Sequence, residues 1–99
     1  MGKYLMLWEV DLTKVPVGPQ ERGSGWGGLI DMVKEDLKKG VLKDWGAFVG
    51  ELGGYTIAEG TEVEIGNLVQ RYIPWIIFKP VRAVGSVNQV DAIVKELTK

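Results

Sequence analysis

The sequence predicts an α+β domain of order β-α-β-β-α-β with a third helix at the C-terminus, its four strands forming one antiparallel sheet. Three observations carry this. Short apolar runs of strand length fall at residues 3–12, 41–50, 55–58 and 75–78, and helical stripes separate the first run from the second and the third from the fourth. Two boxes, Thr61 with Glu64 and Ser86 with Gln89, have the spacing that satisfies the exposed amides at a helix start. Pro80 interrupts the fourth run, where its missing N–H is tolerated on an edge strand.

The first strand is apolar on both parities. Tyr4, Met6, Trp8 and Val10 share one face, and Leu5 and Leu7 begin the other before Glu9 and Asp11 take over. Pro16, Gly18 and Pro19 mark a loop. From about residue 20 to 39, Trp26, Leu29, Ile30, Val33 and Leu37 form an amphipathic stripe that Gly40 ends. Four glycines weaken its first turns, which places the firm part of the helix near Trp26. The next two strands form a hairpin, with Gly53-Gly54 expected to supply the positive φ of its turn. Ile65, Leu68, Val69 and Tyr72 stripe the second helix, which Pro74 ends. Val90, Ile93, Val94 and Leu97 stripe the last.

This order is the ferredoxin-like split βαβ pattern, whose sheet runs 4-1-3-2. At 99 residues the chain makes one domain, 1–99, without internal repeats. Two helices cover only one face of such a sheet, and the third could cover part of the other, yet both faces carry large apolar groups: Leu5 and Leu7 oppose Met6 and Trp8, Trp45 opposes Phe48, and Ile77 opposes Phe78. An exposed apolar patch of that kind is rare on soluble monomers. A second copy, sheet against sheet in a symmetric homodimer, is the expected cover.

On these residues the chain resembles the dimeric α/β-barrel superfamily. Residues 4–10 look like its opening strand, followed by Val15-Pro16 and the pair Glu21-Arg22 before the first helix. Residues 40–46 look like its helix-end and strand-restart segment. Ile73-Pro74-Trp75 and Lys79-Pro80-Val81 look like its proline-bounded last strand. The muconolactone-isomerase-like layout and small proteins of unassigned function are the branches most similar. The resemblance implies pairing as a dimeric barrel and, for any chemistry, cofactor-independent isomerisation or oxygenation. Histidines used in parts of the superfamily have no counterpart here, which also disfavours its haem-binding branches.

Composition narrows the chemistry. The chain has no cysteine and no histidine, so thiol nucleophiles, zinc–thiolate sites and the serine triad are excluded. Twelve basic against thirteen acidic residues give a net charge of −1, a poor match to nucleic acid. The first apolar run is too short for a signal core or a bilayer span, and with no disulfides the expected location is cytoplasmic, without a membrane partner. Gly23-Ser24-Gly25-Trp26-Gly27-Gly28 satisfies G-x-G-x-x-G but lies well beyond the first strand, which does not suit a dinucleotide fold. A soft start to the first helix, a lid over a pocket, fits it better. Trp45-Gly46-Ala47-Phe48-Val49 echoes an RNA-binding strand, but on the second strand rather than the third.

Without histidine, proton transfer falls to carboxylates, tyrosine, lysine or arginine. Glu9, Asp11, Asp44 and Glu51 lie in or at the ends of strands, and Arg22, Arg71 and Arg82 are the arginines able to hold a carboxylate bidentately. Glu9 and Tyr55 are the candidate catalytic groups, and Trp8, Trp26, Trp45 and Arg82 the candidate ligand-binding groups. The expectation is a small homodimer whose sheet–helix cleft binds a small aromatic or apolar molecule, with no cofactor or metal. The alternative is a non-catalytic ligand-sensing or assembly module.

Overall fold

A computed structural model describes residues 2–15 and 17–99. Pro16, one of the loop markers, lies outside the described residues. The elements follow in the order β1 (Gly2–Val10), a 3-10 turn (Leu12–Lys14), α1 (Pro19–Lys39), β2 (Leu42–Ala47), β3 (Gly53–Gly60), α2 (Glu62–Tyr72), β4 (Ile76–Val84) and α3 (Val87–Leu97). The strands pair antiparallel in the order β2-β3-β1-β4, the ferredoxin-like arrangement, with Pro80 on an edge strand as expected. A register shift between Met6 and Trp8 bends the β1–β4 pair.

Local chemistry sets the helix ends. Pro19 occupies the first turn of α1, where an N–H would have no helical partner, and Gly40 closes the helix at φ 86°, a left-handed conformation that disfavours any side chain. Both capping boxes form. Glu64 N donates to Thr61 Oγ1 while Thr61 N donates to Glu64 Oε1, and Ser86 and Gln89 repeat the exchange.

The core lies between the helix-facing side of the sheet and helices α1 and α2. Met6, Trp8, Leu42, Ala58 and Ile76 meet Val33 of α1 and Ile65, Leu68 and Tyr72 of α2. Two sequence expectations need correction. First, Gly53 and Gly54 are not the turn residues; they begin β3, and the positive φ belongs to Gly50, at 83°. Their role is close approach. A Cβ on Gly53 would meet the Trp8 carbonyl at 2.6 Å, and one on Gly54 the Trp8 indole at 2.6 Å. Second, Leu37 is 39% exposed while Asp36 is buried in its place on the stripe. Helix α1 itself runs from Pro19 to Lys39, close to the expected 20–39, with its glycines inside it.

The opposite face of the sheet carries Leu5 and Leu7 of β1, Tyr55 and Ile57 of β3, and Ile77 of β4. No described helix covers it. Helix α3 has no buried residue, and Val87, Val90, Ile93, Val94 and Leu97 of its stripe are 48–82% exposed. The chain is accordingly long, 61 × 26 × 19 Å, with a radius of gyration of 16.2 Å against about 13 Å for a compact domain of this size. No helix among the described residues is long and apolar enough to cross a membrane.

Candidate functional site

The segment that joins β1 to α1 is held by its own polar groups. Asp11 caps the 3-10 turn, its Oδ1 accepting from Thr13 N at 3.0 Å and Thr13 Oγ1 at 2.7 Å. The Thr13 hydroxyl, then its amide, holds the Asp11 carboxyl below its usual range, with Lys14 adding a smaller pull. Asp11 N donates to the carbonyl of Trp75 at 2.9 Å, which ties this segment to the start of β4. Lys14 and Val15 therefore stand near Trp75 although sixty residues separate them in the chain.

Between this segment, the first half of α1 and the start of β4 opens a cleft of about 360 Å³. Trp26, Leu29 and Met32 of α1 form one wall. Val10, Val15, Trp75 and Ile76 form the other, and Lys14 and Arg22 are its charged lining residues. Gly25 and Gly28 also line it, and a Cβ at either would meet nothing within 4 Å. The width of the cleft thus depends on side chains these glycines lack. Its size and its mainly apolar lining are those of a small-molecule site.

Behind the cleft, and sharing Leu29 and Ile76 with it, lies a space of about 10 Å³ bounded by Trp8, Trp45, Thr56, Tyr72 and Phe78. Thr56 Oγ1 is buried there without a hydrogen-bond partner among the described residues. Trp8 organises this inner wall. Its indole stacks on Trp45 at 5.2 Å with planes 10° apart, meets Trp26 edge-on at 6.4 Å, and donates to the Tyr55 carbonyl at 3.3 Å. The indole lies over Gly54, and a side chain there would meet the Gly46 carbonyl first and this ring next.

The predicted site residues divide between the two faces of the sheet. Trp8, Trp26 and Trp45 come together on the helix side, with Trp26 in the cleft and the other two behind it. Glu9 and Tyr55 sit on the open face as diagonal neighbours, since Glu9 pairs with Gly53 and Tyr55 lies two residues on. Tyr55 Oη donates to Asp44 Oδ2 at 2.9 Å, and that bond pushes its pKa up. Arg82 is also on the open face, opposite Leu5. The structure therefore does not bring Glu9, Tyr55 or Arg82 to the cleft.

The three arginines also separate. Arg71 serves the core, its Nη1 lying 2.8 Å from Asp36 Oδ1, an ion-pair distance with the N–H off line for a hydrogen bond. Tyr72 Oη donates to Asp36 Oδ2 at 2.7 Å, so α1 and α2 are clamped through one buried carboxylate. Burial, then this bond, pushes the Tyr72 phenol well above its ordinary range. Arg22 stands at the cleft, with Nη1 donating to the Val17 carbonyl at 2.9 Å. Lys14 and Met32 carried no signal in the sequence, and Trp75 only that of an aromatic able to line a pocket; the pairing of Val10 with Ile76 and the bond from Asp11 to Trp75, both non-local in the chain, bring Lys14 and Trp75 to one place. Among the described residues no group of three or more acidic side chains gathers as a metal site.

Comparison with family models, with curated proteins and with solved structures finds no match to this chain, so its site is described by its own geometry alone.

Proposed function

We propose that this chain is a small-molecule-binding protein that works as a homodimer of the dimeric α/β-barrel kind, taking a small aromatic or apolar ligand in the sheet–helix cleft. The cleft carries the reading. It has a volume of about 360 Å³, walls of Trp26, Trp75, Met32 and Leu29, and few polar side chains, those of Lys14, Arg22 and Ser24. The dimer is supported by the uncovered sheet face, where Leu5, Ile77 and Phe48 are 36–41% exposed, and by the bare stripe of α3. Any isomerisation or oxygenation without a cofactor would fall to groups that line the cleft, because Glu9 and Tyr55 lie on the opposite face of the sheet and do not reach a ligand bound there.

The test uses an uncharged probe, 4-phenylbutan-1-ol, and the indole N–H resonances in a heteronuclear NMR spectrum, assigned by single Trp→Phe variants. Binding in the cleft shifts Trp26 and Trp75 at saturable concentration. Shifts spread evenly over the four indoles, or none, would refute a cleft site. Light scattering tests the assembly, with a mass twice the 10.9 kDa of one chain expected and the mass of one chain refuting the dimer. The alternative, a non-catalytic assembly module, is favoured by α3 and would show the dimer without saturable ligand shifts.

A further inference from the structure

We infer that the ligand of this cleft is an amphipathic carboxylate, an aromatic or aliphatic body ending in a single anionic group held by Lys14 and Arg22. The inference rests on the reading of the cleft as a ligand site and adds the charge of what enters it.

Both charged side chains lining the cleft are cations, and no carboxylate lines it. Glu21, the acid in the first turn of α1, turns back onto Gly18 at the helix start instead. Asp11 is engaged by Thr13. Neither Lys14 nor Arg22 forms an ion pair among the described residues, which is also true of Lys3, Lys34, Lys38, Lys79 and Arg82; what sets Lys14 and Arg22 apart is that they line an apolar cleft. Lys14 acts on the nearby Asp11 carboxyl without closing an ion pair with it, and with Arg22 it leaves the cleft lined by two cations and no carboxylate, a field that an anion relieves.

The geometry selects a carboxylate on an apolar body. Arg22 is held at one end by the Val17 carbonyl, which spends one guanidinium N–H and leaves the rest of the fork free for a planar partner. Lys14 follows the Asp11-capped turn, whose backbone is tied to Trp75, so its position relative to the cleft is set by hydrogen bonds rather than by a loose loop. The remaining lining, Trp26, Met32, Trp75 and Val15 above all, offers little to a second charge. A ligand with one anionic end and an apolar remainder satisfies both parts, and a polyanion does not.

A matched series decides it: 4-phenylbutyrate, 4-phenylbutan-1-ol and 4-phenylbutylamine, titrated at low ionic strength against the full chain, read by the Trp26 and Trp75 indole resonances. The carboxylate should bind about tenfold more tightly than the alcohol, as a charge-assisted contact at a partly exposed site implies, and the amine should bind most weakly. Raising the salt should narrow the gap. In the variant Lys14→Gln/Arg22→Gln the carboxylate should lose its advantage over the alcohol, and a far-UV circular dichroism spectrum matching the parent's shows that the variant is folded. Equal affinities in the parent chain, or a preference that survives the double substitution, would overturn the anion inference while leaving the cleft reading intact. Failure of all three probes to shift Trp26 and Trp75 would overturn both.

Discussion

Helix α1 carries Gly23, Gly25, Gly27 and Gly28 within its first ten residues, and replacing the two that do not line the cleft should stabilise the protein. A Cβ at Gly23 or Gly27 would meet nothing within 4 Å, and neither has a positive φ. The only cost of alanine at such a site is absent, and its gain is the helix propensity of about 1 kcal/mol that glycine forgoes. Gly23→Ala/Gly27→Ala should therefore add about 2 kcal/mol, which for a domain of this size raises Tm by roughly 8–16 °C. Gly66→Ala in α2, equally open, should add about 1 kcal/mol and serves as a control remote from the cleft. Gly40→Ala should do the reverse, losing on the order of 1–2 kcal/mol because φ is 86° there. The assay is thermal and urea unfolding at one fixed protein concentration, since an oligomer's midpoint shifts with concentration. A double variant no more stable than the parent would refute the helical assignment of residues 19–28, and with it the wall of the cleft.

Other outcomes follow from the same geometry. Gly28→Leu should stabilise α1 yet lower the affinity for 4-phenylbutan-1-ol at least tenfold by filling the cleft, whereas Glu9→Gln and Tyr55→Phe, on the other face of the sheet, should leave that affinity unchanged; NMR titration checks all three. Tyr72→Phe should cost about 1–3 kcal/mol in urea unfolding, because it leaves Asp36 Oδ2 buried without its donor. Asp36→Ala should cost at least as much, although Arg71, still partly exposed, regains water. The raised pKa of Tyr72 means that the folded chain keeps this phenolic proton after the unfolded chain has lost it. Stability should therefore fall above pH ~10, by about 1.4 kcal/mol per pH unit while only the unfolded state is ionised, and Tyr72→Phe should lack that slope. At the acid end the depressed Asp11 carboxyl contributes stability present above its ordinary range and lost as pH falls through its folded value, and Thr13→Ala should flatten that loss in an acid titration followed by circular dichroism.

Where a feature depends on neighbours in the chain, the sequence was enough to find it. Both capping boxes, the Gly40 stop, the edge position of Pro80 and the two faces of β1 are of this kind. Position 36 shows the boundary. Asp36 and Leu37 flank the same helical stripe, and periodicity favours the leucine. The aspartate is inside because Tyr72 and Arg71 come to it from another helix, a partnership that no local pattern encodes. Gly53-Gly54 fails for a related reason. Glycine serves a turn or a close approach equally well, and the choice was made by Trp8, forty-six residues away. The cleft was legible in part: Trp26 and the glycine-rich stretch pointed to it, and Arg22 was among the arginines singled out, but Lys14 and Trp75 are brought together by the end of the β1–β4 pairing and the Asp11–Trp75 bond beside it, both across the fold.

The tryptophan arrangement has a spectroscopic consequence. Trp8, Trp26 and Trp45 are near enough for their electronic transitions to couple, and the 60° between Trp8 and Trp26 gives that coupling a handedness that circular dichroism detects. Trp26 belongs both to this coupled trio and to the cleft wall. A molecule settling against it would tilt one chromophore relative to the others and change the rotational strength of the set. The protein thus carries its own optical reporter, wired from the cleft into the core, and an unlabelled sample suffices to follow what enters.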